Sequence, residues 1–439
     1  MVKLDISNNY IKYIALIFSG VLSLICMLNS TALTTLIFSF LILPLASMMI
    51  VRFDLFHPYV WYSLFFSLYA LGYPILLVMN ENNPIYYYGY SNELFYLHWA
   101  ALFTFLLIVS PKISEKIDLK HPYEVRNVFT FNTFFYWILT ILSILYFLYV
   151  QVSGSSTKVN LSDGVSVTSL GVKMLLIYVL VTTIELVKHL YKKQNHQFYK
   201  KSFITTLILL LIMFFTAERD LLFRFILIVF FVYYIFLYKQ NHKFKLVIIG
   251  TLFFISIPIS RSFKFFWMRG ETESLNSNLL AEFINSEFHT QSRNVQLLIN
   301  NSIYKSYFEY SSILNAPLKL INMDKFSMLE WFQNTFYQNK TTGMGFSLVG
   351  EGYLNGNYIG VICIFFIISL FVKISYINSS KNMYYLVIYL LMIPITIYTM
   401  RADLNNFLSQ SIKQIFLTVI LFIIIDRFYN PLRKREQLK

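Results

Sequence analysis

Long apolar runs separated by short polar connections make up almost the whole chain. YIALIFSGVLSLICML, ALTTLIFSFLILPLASMMIV, YVWYSLFFSLYALGYPILLVM, LLFRFILIVFFVYYIFLY and GVICIFFIISLFVKISYI are examples. Each is close to the roughly 20 residues of helix that a bilayer core requires. The pattern predicts about twelve spans, at residues 10–28, 32–51, 59–79, 94–110, 131–150, 170–187, 202–217, 221–238, 246–260, 356–376, 384–399 and 412–426.

One connection is long. Residues 261–355 separate the ninth span from the tenth, which divides the chain into helices one to nine (1–260), a large loop (261–355) and helices ten to twelve with a basic tail (356–439). The loop is rich in Phe, Tyr and Trp, and Leu279, Leu280, Phe283, Ile284 and Phe288 have the spacing of a helix lying at a membrane surface. We expect it to be ordered.

Composition agrees with an all-α polytopic membrane protein. The 439 residues are 57% apolar and 13% charged, too little polar surface to cover a water-soluble globule. The net charge of +14 bears on topology rather than on nucleic acid. Alternate loops collect 22 of the 36 Lys and Arg residues, from Lys3, Lys12 and Arg52 through Lys188 and Lys239 to Lys434 and Lys439. By the positive-inside rule these loops and both termini are cytoplasmic, and 261–355 is outside. The first span follows Lys3 and lacks an A-x-A cleavage site, so it reads as a retained helix. Cys26 and Cys363 both lie in apolar spans and form no disulfide or metal framework. No internal repeat or matched pair of interrupted helices suggests a carrier. No ATP site is visible, because GFSLVGEG has Glu351 where a Walker lysine must stand.

Candidate chemistry lies at span ends on the predicted outer face, where an ionisable group near the bilayer core costs about 2.5–3.5 kcal/mol and is usually retained for function. FFTAERDLLFRF supplies Glu218, Arg219, Asp220 and Arg224; ISRSFKFFWMRGETE supplies Arg261, Lys264 and Arg269; YTMRADLNN supplies Arg401 and Asp403; EFHTQSRN in the loop supplies Glu287, His289 and Arg293. Converging guanidinium groups make a dianion site, since each is always charged and binds phosphate bidentately. The plainer reading pairs each with a neighbouring acid, as Arg401 with Asp403. Glu218-x-Asp220 has a spacing that could hold a divalent cation, although an ion-pair network around Arg219 is simpler, and no metal site is assigned. His289 is a candidate general base or a structural hydrogen-bonding residue.

Six of the fourteen glycines fall in TTGMGFSLVGEGYLNGNYIGV. Gly352, Gly356 and Gly360 form tandem G-x-x-x-G, which predicts close approach of helix ten to a neighbour. Gly343, Gly345 and Gly350 permit positive φ and would expose N–H groups at a helix N-terminus, an anion site. Glu351 then stands in the first turn, as a dipole cap or as a functional carboxylate.

GMGFSLVGEGYLNGNYIG resembles the G-x-G-F-S-x-x-G-E-x-Y-L-N-x-G-x-x-G pattern that follows the long outer loop of Wzy-type O-antigen and capsule polymerases. About a dozen spans, an Arg at the outer end of a mid-chain span (Arg219) and Arg-x-Asp after the penultimate span (Arg401, Asp403) are similar to that family. The resemblance implies a metal-independent membrane glycosyltransferase of GT-C-like fold, without a cofactor, in a bacterial cytoplasmic membrane. It would polymerise undecaprenyl-diphosphate-linked oligosaccharide repeat units, beside a flippase and a chain-length regulator. In that chemistry Glu351 or Asp220, with His289 as a further candidate, would take the acceptor proton, and Arg219, Arg261 and Arg401, with Arg269 and Arg293, would bind the diphosphate. An O-antigen ligase performs the same transfer to a different acceptor, and a lipid-linked oligosaccharide carrier would need an arginine-lined cavity of its own.

Overall fold

The computed structural model describes residues 2–79, 88–111, 132–153, 166–191, 206–210, 219–238, 288–320, 326–337, 345–380, 383–417 and 419–424, with single helical positions at 204 and 284. Among these residues there is helix and no strand, as apolar runs of span length require, because only a helix satisfies its own backbone away from water. The helices are α1 (Val2–Leu28), α2 (Leu33–Ile50), α3 (Pro58–Val78), α4 (Asn92–Val109), α5 (Asn132–Ser153), α6 (Ser166–Tyr191), α7 (Arg219–Tyr238), α8 (His289–Asn300), α9 (Ser311–Leu320), α10 (Met328–Phe336), α11 (Leu348–Ser379), α12 (Met383–Thr399) and α13 (Leu404–Leu408). A π-helical stretch, Ser409–Phe416, continues α13. Six segments are long and apolar enough to cross a membrane: Asn9–Leu28, Leu33–Ile50, Pro58–Val78, Asn92–Val109, Leu348–Ser379 and Leu404–Ile424. Tyr136–Tyr146, Leu222–Ile235 and Met383–Thr399 are shorter apolar helices. The ninth expected span, 246–260, lies outside the described residues, as does most of 202–217.

The chain forms two compact units. One comprises Met1–Ser114, Leu275–Ile377 and Thr396–Ser409; the other comprises Glu115–Ser274, Asn378–Ile395 and Gln410–Lys439. In the first unit α1 turns apolar side chains outward, with Tyr10 and Phe18 among the most exposed, an arrangement that suits lipid. Its inner side meets α2 through small groups: Ser23 donates to the Ser39 carbonyl at 2.8 Å. Ser47 of α2 and Ser63 of α3 share a hydrogen bond at 2.9 Å. Without a hydrophobic driving force between helices in lipid, such small polar contacts and close packing do the work. α3 is buried along nearly its whole length. Its N-terminus is set by Pro58 at the first helical position and by His57 Nδ1, which accepts from the Tyr59 N–H at 3.1 Å.

The second unit holds α5, α6 and α7. Thr140 of α5 donates to the Tyr178 hydroxyl of α6 at 3.0 Å. Lys188, which the sequence pattern assigns to a cytoplasmic loop, instead belongs to α6 and is buried with Glu185 in an ion pair at 3.1 Å. Helical spacing of three residues brings the two side chains to one face, so each offsets the other's desolvation.

The tenth expected span differs from the apolar pattern in its start and in its continuity. α11 begins at Leu348 rather than 356, because FSLVGEG is polar enough to read as loop yet is held inside the protein. It is also broken, with non-helical backbone at Gly356 and at Asn357 (φ 52, ψ −130). The arms on either side, 348–355 and 358–379, fold against each other. A Cβ on Gly352 would lie 2.5 Å from the Val361 Cα, and one on Gly360 would collide with the Gly352 carbonyl. The expected G-x-x-x-G contact is therefore made within one broken helix, while Gly356 makes room for the Tyr310 ring.

Candidate active site

α8 is a polar helix inside an apolar protein. Gln291, Ser292, Arg293, Asn294 and Gln296 are all buried. It enters the first unit because α3 offers no side chain at Gly72, where an added Cβ would come within 2.7 Å of the Phe288 carbonyl oxygen. Ser292 then accepts from the Tyr73 N–H of α3 at 3.2 Å. Gln296 accepts from the Ser91 N–H at the head of α4 at 3.0 Å, and Asn300 donates to the Tyr88 carbonyl at 2.8 Å. The polar residues so pin the loop helix to the ends of two spans, α3 and α4.

The charged end of α8 carries two of the expected site residues. His289, part-exposed in the first turn, has Nε2 3.5 Å from the Arg293 guanidinium. Arg293 is 2% exposed and also reaches the Tyr337 hydroxyl at 3.4 Å, which in turn donates to Asn294 Oδ1 at 3.0 Å. Tyr337 follows α10, and the Phe332 ring of α10 packs 5.0 Å from Phe346, so α10 is anchored by aromatic contact to the segment that leads into α11.

Phe346 leads to the glycine-rich stretch. Gly345 adopts φ +68, the left-handed conformation that favours glycine, and the next N–H, of Phe346, donates to the Arg401 carbonyl at 2.9 Å. Leu348 N–H donates to the Met400 carbonyl at 3.4 Å, and Gly350 N–H to the Ser347 hydroxyl at 3.2 Å. These N–H groups at the head of α11, expected to receive an anion, are taken by protein acceptors. Ser347 also accepts from Gln291 Nε2 at 3.0 Å, which joins α8 to this turn. Arg401 is part-exposed, its guanidinium 5.2 Å from the centre of the Tyr398 ring.

Glu351 lies one turn into α11 and is 1% exposed. Its Oε2 accepts from the Leu404 N–H at 2.6 Å and its Oε1 from the Ser312 hydroxyl at 2.8 Å. Ser312 also accepts from Asn355 Nδ2 at 2.8 Å, and Asn355 Oδ1 takes the Ser312 N–H at 3.2 Å. One carboxylate thus ties α11, α9 and the N-terminus of α13 together. Asp403, expected to pair with Arg401, instead caps α13: its Oδ1 accepts from the Asn406 N–H at 2.9 Å and its Oδ2 from the Leu329 N–H at 3.5 Å.

His289, Arg293, Glu351 and Arg401 are therefore on contacting elements of one unit, although they are far apart in sequence. Arg219 and Asp220 begin α7 in the other unit. Arg261 and Arg269, like Glu218, Lys264, Glu287 and Gly343, lie outside the described residues. Among the described residues no group of three or more His, Cys, Asp or Glu is arranged to hold a metal. Sequence reasoning missed Ser312, Tyr337 and Gln291, which are ordinary residues until folding buries them. It also gave no role to Asn355, although Asn355 stands within the recognised Y-L-N.

The family model for O-antigen polysaccharide polymerase Wzy matches residues 9–431. The chain belongs to this family. The match runs through every helix of both units, so the buried polar helix, the broken helix and the Arg-x-Asp turn are all parts of a Wzy polymerase. Of the three classes open to the sequence, polymerase, ligase and carrier, it is the polymerase that matches. Neither the curated proteins nor the solved structures give a match. The Wzy polymerase joins O-antigen repeat units within a membrane, and its long loop contributes buried helices to the protein rather than a separate appendage.

Proposed function

We propose that this polymerase transfers a growing glycan from undecaprenyl diphosphate to the terminal sugar of an incoming lipid-linked repeat unit, at the outer face of the cytoplasmic membrane, without a metal. The observation that carries the site is the group formed by His289 and Arg293 of the buried polar helix α8 with Tyr337 after α10, beside the Arg401 turn. Membrane-buried cations are costly and are kept for a ligand or a partner. The sugar acceptor needs a base and the departing diphosphate needs positive charge.

His289 is the better-placed base. It sits at the part-exposed end of α8, whereas both oxygens of Glu351 are engaged by Leu404 and Ser312. Asp220, at the head of α7, is the second candidate. Arg401 and Arg293 supply positive charge in this unit. Arg219, Arg261 and Arg269 are the further candidates that the sequence offers for the diphosphate. About twelve spans in a GT-C-like arrangement, with both termini cytoplasmic and a flippase and chain-length regulator as neighbours, complete the reading.

The test is to incubate purified protein with lipid-linked repeat units that accumulate in cells lacking the polymerase. A ladder of products spaced by one repeat supports the reading. A single transfer to a lipid A core, or movement of the substrate across the bilayer without bond formation, overturns it.

A further inference from the structure

The α9 helix is inside out. Its protein-facing positions are Ser312 and Ala316, both buried, while Leu314 and Leu318 point away from the protein and are 72% and 43% exposed. Just before it, Ile303 is 78% exposed and Tyr307 57% exposed. In water each such side chain forfeits about 1.5–3 kcal/mol relative to burial, and a folded chain would normally turn the helix over. It cannot do so, because Ser312 is committed to Glu351 and Asn355.

The position of this surface identifies what covers it. Lys305 Nζ lies 3.7 Å from Glu93 in the first turn of the α4 span. The N–H groups of Ser306, Phe308 and Tyr310 donate to the carbonyls of Tyr353, Leu354 and Asn355 at 3.1, 2.9 and 2.9 Å, at the break in the α11 span. The segment is therefore fixed at the level where two spans begin. Past the break, α11 exposes Ile359, Ile362 and Phe366 at helical spacing, as a span facing lipid does. The exposed residues of 303–318 belong to a segment bonded to α11 just before that face begins. Beside them Tyr304, Tyr307 and Phe308 pack around Trp331, at 5.5, 6.1 and 5.0 Å between ring centres, and aromatic groups of this kind favour the headgroup level.

We propose that residues 303–318 form an interfacial foot, with Ile303, Tyr307, Leu314 and Leu318 sunk in the lipid leaflet next to α4 and α11. The occupant of this surface is lipid, not water, a second copy or another protein. Lys305 lies along the foot with its ammonium at the headgroups, as a long cationic side chain does at an interface.

The test uses the full chain with Cys26 and Cys363 replaced by Ala, reconstituted in vesicles of phosphatidylethanolamine and phosphatidylglycerol. Spin labels are placed at Leu314→Cys, Leu318→Cys and, as a reference, Lys305→Cys. Labels at 314 and 318 should collide with oxygen more than with a water-soluble nickel chelate, at depths of roughly 5–10 Å, and the label at 305 should show the reverse. Dominant nickel collisions at 314 and 318 overturn the proposal. So does dipolar broadening between labels of two molecules, which would make the face a contact between copies. If labelling unfolds the protein, the unlabelled Leu314→Cys thiol should react with an impermeant maleimide at least about tenfold more slowly than Lys305→Cys, since thiolate forms poorly out of water. Equal rates overturn the proposal.

Discussion

Ser312 and Glu351 are separated by 39 residues and joined by a 2.8 Å hydrogen bond between a hydroxyl and a carboxylate that are both buried. With the Leu404 N–H on its other oxygen, Glu351 closes a junction among three elements. A hydrogen bond to a charged group is worth about 1.5–3 kcal/mol, so this carboxylate is a principal tie between the loop and the span. Its variants separate positioning from catalysis.

Glu351→Gln keeps one acceptor for Leu404 and offers an amide to Ser312, so it should fold, melt at a lower temperature and retain most polymerisation. Glu351→Ala takes the carboxylate acceptor from the Leu404 N–H and from the Ser312 O–H and should destabilise by about 3 kcal/mol. Thermal melting in detergent followed by the ladder assay measures both. A Glu351→Gln protein with native melting and turnover reduced more than about 100-fold would make Glu351 the base instead.

His289→Gln removes the imidazole while leaving a side chain that can still meet Arg293. Polymerisation should fall by roughly 100-fold to 10,000-fold, the usual contribution of a general base, with folded protein unchanged and substrate binding kept. Near-normal turnover would move the base to Asp220.

Arg219, Arg261 and Arg401 can each be changed to Ala and to Lys. If they bind diphosphate, each Ala variant should lose about 100-fold or more in turnover, and Lys should rescue only partly because the bidentate geometry is gone. Wild-type ladders from all three Ala variants would leave them with structural roles alone.

At Gly352 a methyl group would sit 2.5 Å from the Val361 backbone, whereas at Gly350 its nearest neighbour is the movable end of Leu298 at 3.0 Å. Gly352→Ala should therefore lower the yield of folded protein severely, and Gly350→Ala only mildly. Fluorescence-detected size exclusion of tagged variants ranks them, and equal yields would show that the two arms of α11 do not touch as described.

Lys188→Met leaves the Glu185 carboxylate buried with its nearest cation gone and should cost about 3–5 kcal/mol. The double change Lys188→Met with Glu185→Gln should recover most of that. A double-mutant cycle on melting reads the coupling, and strictly additive losses would deny the pair any joint role.

Much of the fold was legible because apolar length alone defines a span: α2 to α4 fall within two residues of the runs that predict them, and α1 ends where expected while its helix starts earlier, at Val2. The break in α11 was not. Gly356 suggested close packing, but the motif alone does not say that Asn357 turns the chain back on itself, because that conformation brings Gly352 against Val361 within the one helix and fits around the Tyr310 ring from far earlier in the sequence. The same holds for the site. Charge at a span end pointed to His289, Arg293, Glu351 and Arg401, yet their partners Tyr337, Ser312 and Asn355 are uncharged and acquire meaning only through burial. Lys188 shows the converse case: a basic residue just past an apolar run reads as loop, and a neighbouring Glu three residues earlier was the available sign that the helix continues and that the two are paired.

Exchange of parts among these polymerases is constrained by the three backbone hydrogen bonds from Ser306, Phe308 and Tyr310 to the carbonyls before the break in α11. They run between the large loop and the first arm of the helix that follows it, much as neighbouring strands are laced. A loop from a relative, transplanted with its border at the start of α11, would arrive without the edge it is stitched to. The transferable module extends to Asn357, and a chimera joined after that residue should keep both the stitching and the carboxylate of Glu351 that travels with it.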